Sequence, residues 1–142
     1  MSEAQKASLQ ALADTSPFQE TIGWQLVRWD DGEAELAYRI LPQHLNRGGI
    51  LHGGIYATLL DSVMGYAAIG RPVPLDEGTS KPRGVTLSFT VNYLDMVHEG
   101  DLRVIGWRTG GGKSVAFARA EITDRAGRKL AEATGTFRRF AN

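Results

Sequence analysis

The sequence predicts an α+β domain in which an antiparallel sheet wraps around one long central helix. Residues 48–70 contain a single charged side chain, Asp61, which is typical of a helix buried on almost every face. Short segments of alternating apolar and polar residues before and after this stretch predict strands. Strands and helices do not alternate along the chain, so a parallel sheet with crossover helices is not expected. The length of 142 residues corresponds to one domain.

Two helical segments are predicted before the first strand. Met1–Asp14 spaces alanine and leucine at loosely helical intervals, which predicts a short N-terminal extension over residues 1–15. Ser16, Pro17 and Gln19 then follow the pattern of a capping box, with serine at the N-cap and glutamine three residues later.

A hairpin, a loop and the long helix follow. Ile22–Trp29 and Glu33–Leu41 flank an Asp-Asp-Gly turn and predict a β-hairpin. Pro42–Leu51 contains a proline and two glycines, which indicates a loop. His52–Gly70 is long enough for about four to five helical turns and is the predicted central helix.

After a second loop at Arg71–Arg83, which contains three prolines, the chain is predicted to form strands only. Glycine-rich and Asp-Arg-Ala-Gly turns separate the later segments, as in β-hairpins. We expect the four strands to pair in chain order as an antiparallel meander. Their predicted ranges are Val85–Tyr93, Asp101–Thr109, Lys113–Asp124 and Arg128–Phe140.

The composition excludes several classes of function. Sixteen basic and sixteen acidic residues balance, so neither nucleic acid nor an anionic membrane surface is an expected partner. The absence of cysteine excludes disulfides, thiolate metal sites and a cysteine nucleophile. His44, His52 and His98 lack acidic partners at metal-ligand spacing, so no metal site is expected. The first 20 residues hold no apolar leader, which leads us to expect a cytoplasmic protein.

Asp61 is a candidate functional residue because it is the one carboxylate in an apolar helix. Burying an unpaired charge is costly, so such a group needs hydrogen-bond donors. Thr58 and Ser62 are nearby donors, and with them Asp61 would be a satisfied structural residue. A catalytic carboxylate is the alternative interpretation.

The start of the helix is a second candidate. His52-Gly53-Gly54 follows two further glycines, and glycine allows a ligand to approach the backbone closely. Free N–H groups at a helix N-terminus favour a developing negative charge, so the Gly53 N–H is a candidate oxyanion donor. The same glycines can instead serve only to let the helix end pack tightly.

The distance between the two candidates indicates a shared site. His52 and Asp61 are nine residues apart, which is roughly 13 Å along a helix and too far for both to touch one carbonyl group. A site built from both therefore lies across a dimer interface. The uncharged face Thr86-Ser88-Thr90-Asn92 of the next strand fits a covered surface or a cleft, although an exposed neutral face has the same composition.

The segment Asn46-Arg47-Gly48-Gly49-Ile50-Leu51-His52-Gly53-Gly54, followed by Asp61, resembles the signature of hotdog-fold acyl-CoA thioesterases of the phenylacetic-acid-degradation (PaaI) type. The resemblance includes TLSFTVNYL at 86–94 and leaves only about the first 15 residues outside. It implies a hotdog fold, a homodimer that commonly associates into a homotetramer, and hydrolysis of an acyl-CoA thioester to a carboxylic acid and CoA. It implies no metal or organic cofactor.

The resemblance also implies roles for individual residues. Asp61 is the general base that activates water, or else the nucleophile. The Gly53 N–H polarises the thioester carbonyl, and Asn46 positions water or substrate. His52 orients the helix start, and the Thr86 hydroxyl lies near the attacking water.

Substrate contacts are expected beside these residues. Gly54 adjoins the oxyanion donor and is expected to contact the substrate. Arg47, Lys81, Arg83 and Lys113 border loops near the expected cleft and are candidates for binding the CoA phosphates. Each of the four is otherwise an ordinary solvated charge.

Two other functions use the same fold. A non-catalytic hotdog module would bind acyl-CoA as a sensor or carrier, but binding alone gives no reason for a carboxylate at Asp61. A hotdog lyase would hydrate or dehydrate an acyl thioester, but such enzymes usually pair a catalytic histidine with an acid, and His52 is poorly placed for that. For the substrate, the resemblance implies an aryl- or medium-chain acyl-CoA.

Overall fold

The structure, a computed structural model, describes residues 16–70 and 83–140, in which a six-stranded sheet packs around one long helix. The predicted N-terminal helix and residues 71–82 of the second predicted loop lie outside the described residues. The elements are α1 (Pro17–Ile22), β1 (Gln25–Asp30), β2 (Glu33–Arg39), a 3₁₀ turn (Pro42–His44), α2 (Gly53–Ile69), β3 (Arg83–Tyr93), β4 (Asp101–Gly111), β5 (Val115–Thr123) and β6 (Lys129–Phe140).

The strand order is β1-β2-β4-β5-β6-β3, and every neighbouring pair is antiparallel. The predicted meander is wrong for its first strand. Strands β4, β5 and β6 pair in chain order, but β3 pairs with β6 at the edge of the sheet, with Thr90 opposite Thr134. Alternating residues indicate which side chains share a face of a strand, and they do not identify the neighbouring strand.

The hairpin of β1 and β2 is confirmed, but β1 begins later than predicted because Ile22 ends α1. The N-cap at Ser16 is also confirmed, since its Oγ accepts the Gln19 N–H at 3.1 Å. The Gln19 side chain does not close the predicted capping box. Its Nε2 donates instead to the Trp24 carbonyl at 3.2 Å, which ties the end of α1 to the start of β1.

The central helix is buried as predicted, and its ends lie within one residue of the predicted ones. His52 is the N-cap and Gly70 the C-cap of α2, and the helix contacts all six strands. Neither helix in the part of the chain that the structure describes is long and apolar enough to cross a membrane. The buried side chains of α2 are Tyr56, Leu59, Leu60, Val63, Met64, Ala67 and Ala68.

A row of small residues brings α2 close to the sheet. Gly106 of β4 lies opposite Ala34 of β2 and Ala120 of β5, so no large side chain separates this part of the sheet from the helix. A Cβ atom on Gly106 would lie 2.9 Å from the Val63 carbonyl oxygen of α2. Since backbone cannot move aside as a side chain can, glycine is required here by the close approach of the helix.

Gly106→Ala is therefore expected to destabilise the protein by roughly 1–3 kcal/mol, as is usual when a methyl group is added to a packed core. Gly110 lies on the same strand, where an added Cβ atom would meet no heavy atom within 4 Å, and Gly110→Ala is the matched control. Urea unfolding of both variants gives the comparison. Equal midpoints for the two variants would contradict the requirement at Gly106.

Candidate active site

An irregularity in β3 turns Thr86 toward α2. The register of β3 against β6 shifts between Thr86 and Ser88, which makes Leu87 an extra residue, as in a β-bulge. Beyond the shift, Phe89 packs against the core, so Ser88 points to the opposite face. The expectation that the four residues Thr86-Ser88-Thr90-Asn92 share one face is therefore wrong. One extra residue reverses the alternation and places Thr86 on the helix side of the sheet.

Asp61 and Thr86 form a direct contact between α2 and β3. The Thr86 Oγ1 donates to Asp61 Oδ1 at 2.7 Å, and the Asp61 side chain is half-buried. Thr58, a donor suggested by the sequence, bonds instead to the Gly54 carbonyl at 2.9 Å. Among the described side chains, no lysine or arginine forms an ion pair with Asp61. Its second oxygen is available to a ligand or a water molecule.

The first turn of α2 leaves one backbone donor free. The His52 Nδ1 accepts the Gly54 N–H at 2.8 Å, and the His52 carbonyl accepts the Ile55 N–H at 2.9 Å. The Gly53 N–H has no acceptor within the described ranges, and Gly53 is partly exposed. The N-terminal end of a helix favours a negative charge at such a donor. This arrangement can therefore bind a carbonyl oxygen or an oxyanion.

Asn46 closes the loop that leads to this helix end. Its side-chain Oδ1 accepts the Gly48 N–H at 2.9 Å and the Ile50 N–H at 3.3 Å. The backbone N–H of Asn46 donates to the Ile50 carbonyl at 2.8 Å. With the side-chain oxygen engaged in the loop, the Asn46 Nδ2 group has no acceptor among residues 16–70 and 84–140 and can donate to a ligand.

A buried pair that the sequence did not single out lies beneath this loop. The Tyr38 hydroxyl contacts His44 Nδ1, and the two rings stack with centroids 5.7 Å apart. Burial raises the pKa of Tyr38 to about 12, so the phenol in this contact stays protonated. The His44 carbonyl accepts the His52 N–H at 3.0 Å, which links this pair to the start of α2.

Tyr93 of β3 was also missed, and it contacts the helix end directly. Its Oη donates to the Gly53 carbonyl at 2.8 Å. In the sequence it is the last apolar residue of an alternating strand, a pattern that indicates a core position and carries no functional signal.

The predicted site residues lie in two separate groups. Asp61 and Thr86 form one group, while Asn46, His52 and Gly53 lie at or near the start of α2. Asp61 and Gly53 are eight residues apart on one helix, which corresponds to about 12 Å along its axis. A single chain therefore does not bring the carboxylate and the free amide to one reacting carbon.

The predicted CoA-binding cations are only partly described. Arg47 and Lys113 are exposed, and neither has a carboxylate partner within the ranges that the structure covers. Lys81 and the side chain of Arg83 lie outside the described residues. Among the described side chains, no group of three or more His, Asp or Glu residues could hold a metal ion.

Among the side chains that the structure describes, the surface beside the two groups carries no charge except that of Asp61. Strand β3 is an edge strand with unpaired backbone groups, and Val85 and Leu87 on it are 50% and 56% exposed. The adjacent stripe of α2 is only partly covered by its own sheet. The residues of that stripe are Gly54, Ala57, Thr58, Asp61, Ser62 and Gly65.

The sequence of this chain is similar to known proteins over most of its length. The sequence profile of the thioesterase superfamily matches residues 48–131. The chain is 28% identical over 130 residues to the medium/long-chain acyl-CoA thioesterase YigI of Escherichia coli (strain K12), covering 85% of this chain and 84% of that protein. It is 25% identical over 134 residues to human acyl-coenzyme A thioesterase 13, covering 92% of this chain and 89% of that protein.

The fold of this chain is also similar to that of a solved structure. The structure of the E. coli PaaI protein from the phenylacetic acid degradation operon superimposes with a TM-score of 0.81, covering 98% of this chain and 94% of that one. At 21% identity, this likeness concerns the fold.

Proposed function

Because the chain belongs to the thioesterase superfamily and has the hotdog fold of the PaaI type, we propose that Asp61 and the Gly53 N–H together catalyse its hydrolysis of acyl-CoA. The chain is a thioester hydrolase of the acyl-CoA thioesterase family, as the resemblance implied. The reaction adds water to the acyl carbon and releases a carboxylic acid and CoA.

The observation that carries the proposal is the Thr86–Asp61 hydrogen bond. The only carboxylate of α2 is held by a hydroxyl from another element at 2.7 Å, and no lysine or arginine side chain that the structure describes neutralises it. A carboxylate fixed through one oxygen can accept a proton from water through the other. We assign Asp61 as the general base, with the nucleophile as the alternative role, and Thr86 as the residue that orients it.

The free Gly53 N–H stabilises the charge that develops on the thioester oxygen. Attack on the acyl carbon converts its carbonyl to an oxyanion, and a preorganised backbone donor lowers the energy of that state. His52 orients the first turn of α2 through its bond to the Gly54 N–H. Gly54 borders the substrate, and Asn46 holds the preceding loop while offering its Nδ2 group to water or substrate.

The two groups meet across a homodimer. Because about 12 Å separates Asp61 from Gly53 along α2, each site takes Asp61 from one subunit and Gly53 from the other. The free edge of β3 and the partly covered stripe of α2 support this pairing, since they offer unpaired backbone groups and neutral side chains next to Asp61. We further propose that such dimers associate into a homotetramer and that residues 1–142 form a single hotdog domain with an N-terminal extension.

The phosphates of CoA are negatively charged and require cations, which lie outside the uncharged surface formed by β3 and the partly covered stripe of α2. Arg47 directly follows Asn46, and Lys113 lies in the turn between β4 and β5, both exposed and without a described carboxylate partner. We assign them, with Arg83, to the CoA phosphates. The acyl group is proposed to be aryl or medium-chain.

Thiol release from a panel of aryl-, medium- and long-chain acyl-CoA thioesters tests the proposed function. We expect turnover on at least one class, with the highest kcat/KM identifying the acyl group, and a dimer or tetramer in sedimentation at micromolar concentration. Binding of every acyl-CoA without hydrolysis would support a sensor or carrier instead. A monomer that retains full activity would contradict the shared site.

A further inference from the structure

We propose that Tyr93 is a positioning residue that fixes the orientation of the Gly53 N–H through the backbone of the first turn of α2. The inference rests on the proposed function, because it assigns a role to a neighbour of the oxyanion donor. Its basis is the placement of the Tyr93 hydroxyl, 2.8 Å from the Gly53 carbonyl oxygen.

The peptide group between Gly53 and Gly54 is held by hydrogen bonds at both its carbonyl and its N–H. The carbonyl of the Gly53–Gly54 peptide accepts the Tyr93 hydroxyl, and its N–H donates to His52 Nδ1 at 2.8 Å. With both polar ends bonded, this peptide plane cannot rotate without breaking a hydrogen bond. The preceding peptide carries the free Gly53 N–H, and its carbonyl, that of His52, accepts the Ile55 N–H at 2.9 Å. Both peptides that flank the Gly53 Cα are therefore held, and any turn of the Gly53–Gly54 plane has to be taken up by the dihedral angles that orient the Gly53 N–H.

Tyr93 is itself held by a second tyrosine. Its ring meets the ring of Tyr56 edge to face, with centroids 5.4 Å apart and planes at 87°. The Tyr56 hydroxyl donates to the Asp95 carbonyl at 2.9 Å, and burial raises the pKa of Tyr56, with the charge of Asp95 adding to the shift. The Tyr56 ring is therefore a fixed wall that limits the rotation of Tyr93.

The exposure of Tyr93 argues against a purely structural role. Its side chain is 54% exposed in the single chain, whereas Tyr56 is 4% exposed. A residue this open to water gains little stability from an internal hydrogen bond of its side chain, because water is an alternative partner. The bond is nevertheless made, and to a group next to the proposed oxyanion donor.

Strand β3 thereby contacts both parts of the proposed machinery. Thr86 near its start holds Asp61, and Tyr93 at its end holds the residue that carries the oxyanion donor. One strand therefore orients both the base and the helix end of the same chain, although these serve different sites in the proposed dimer.

The test removes only the hydroxyl. Tyr93→Phe keeps the ring and its contact with Tyr56, and we expect kcat for thiol release to fall about tenfold, because small errors in the geometry of a donor are costly in rate. KM for acyl-CoA is expected to change less than kcat, since the contacts of the CoA moiety are not affected. Thr21→Val is the matched control, because it removes a hydroxyl that donates to a backbone carbonyl within α1 at 3.0 Å.

Two inert substrate analogues separate positioning from general stability. An acyl-CoA ketone, with a methylene group between sulfur and carbonyl, uses the oxyanion donor, whereas an alkyl-CoA thioether has no carbonyl. We expect Tyr93→Phe to raise the Ki of the ketone and to leave the Ki of the thioether unchanged. An unchanged kcat in Tyr93→Phe, or an equal loss of affinity for both analogues, would overturn the inference.

Asp61→Asn measured in the same assay distinguishes this inference from the proposed function. If Asp61→Asn is inactive and Tyr93→Phe has wild-type kcat, the positioning role fails and the assignment of Asp61 stands. If Asp61→Asn retains wild-type kcat, the proposed function fails and the inference fails with it.

Discussion

Asp61→Asn is expected to lower kcat for thiol release by about 10²- to 10⁴-fold, the usual contribution of a positioned general base. The asparagine side chain keeps an oxygen that can accept the Thr86 hydroxyl, which lies 2.7 Å from Asp61 Oδ1, so the contact between α2 and β3 is retained. The ability to take a proton from water is lost. Steady-state thiol release at saturating acyl-CoA, with the melting temperature of both proteins, measures the effect.

Thr86 provides graded controls for this prediction. Thr86→Val replaces the hydroxyl with a methyl group, and we expect a smaller loss of kcat than in Asp61→Asn because the carboxylate remains. Thr86→Ser keeps the hydroxyl and is expected to retain most of the activity. Wild-type turnover in Asp61→Asn would remove Asp61 from the mechanism.

Label from ¹⁸O water that appears in the protein would identify Asp61 as the nucleophile. A general base leaves the ¹⁸O of labelled water in the product acid alone. A nucleophile forms a mixed anhydride with the acyl group, and water that attacks the aspartyl carbon of this anhydride leaves ¹⁸O in the protein. A single turnover with excess enzyme, followed by mass analysis of the peptide containing Asp61, detects that label.

Gly53→Pro is the second substitution with a large expected effect, a loss in kcat of about 10²- to 10³-fold, as for removal of one oxyanion-hole donor. Gly53 is the first residue of α2, where the fixed φ and the missing N–H of proline are compatible with a helix. His52 already has the extended conformation that a residue before proline adopts, with φ −62° and ψ 136°. The substitution therefore removes the proposed donor and preserves the helix.

Gly53→Ala separates the donor from the added bulk. It keeps the N–H, and its Cβ would lie 3.4 Å from the Tyr93 ring, an ordinary van der Waals distance. We expect Gly53→Ala to retain more activity than Gly53→Pro. Equal losses in the two variants would indicate that crowding of the ligand, and not the missing donor, inactivates the enzyme.

Mixing the two inactive proteins tests the shared site. When Asp61→Asn and Gly53→Pro subunits are dissociated and reassociated together, each mixed dimer contains one site with both changes and one site with both native groups. Activity is therefore expected to reappear in the mixture. If each chain held a complete site, mixing would restore nothing, and the dimer-spanning arrangement would be wrong.

The central helix and its one carboxylate could be predicted from the sequence because both are local features. The stretch from His52 to Gly70 contains Asp61 as its only charged residue, and the observed helix has nearly the same limits. The hairpin of β1 and β2 was equally accessible, since its turn residues lie between two alternating segments.

The neighbours of β3 were not predictable in the same way, because pairing depends on contacts between distant residues. The extra residue at Leu87 leaves no local signal, since the alternation appears unbroken in the sequence. Strict alternation assigned Thr86 to the wrong face, and the resemblance alone associated its hydroxyl with the site. Tyr93 was overlooked because an aromatic residue on the apolar side of a strand is usually part of the core.

The bulge in β3 has a consequence for how this enzyme can change during evolution. The bulge at Leu87 shifts the alternation of β3 by one residue, so that Thr86 and Tyr93, an even- and an odd-numbered position, both face α2. Both hydroxyls face the helix only while the number of residues between them is kept. A substitution along the strand alters one contact. An insertion or deletion of one residue between them would turn one of the two hydroxyls away, so the spacing is under stronger constraint than the identity of the intervening residues.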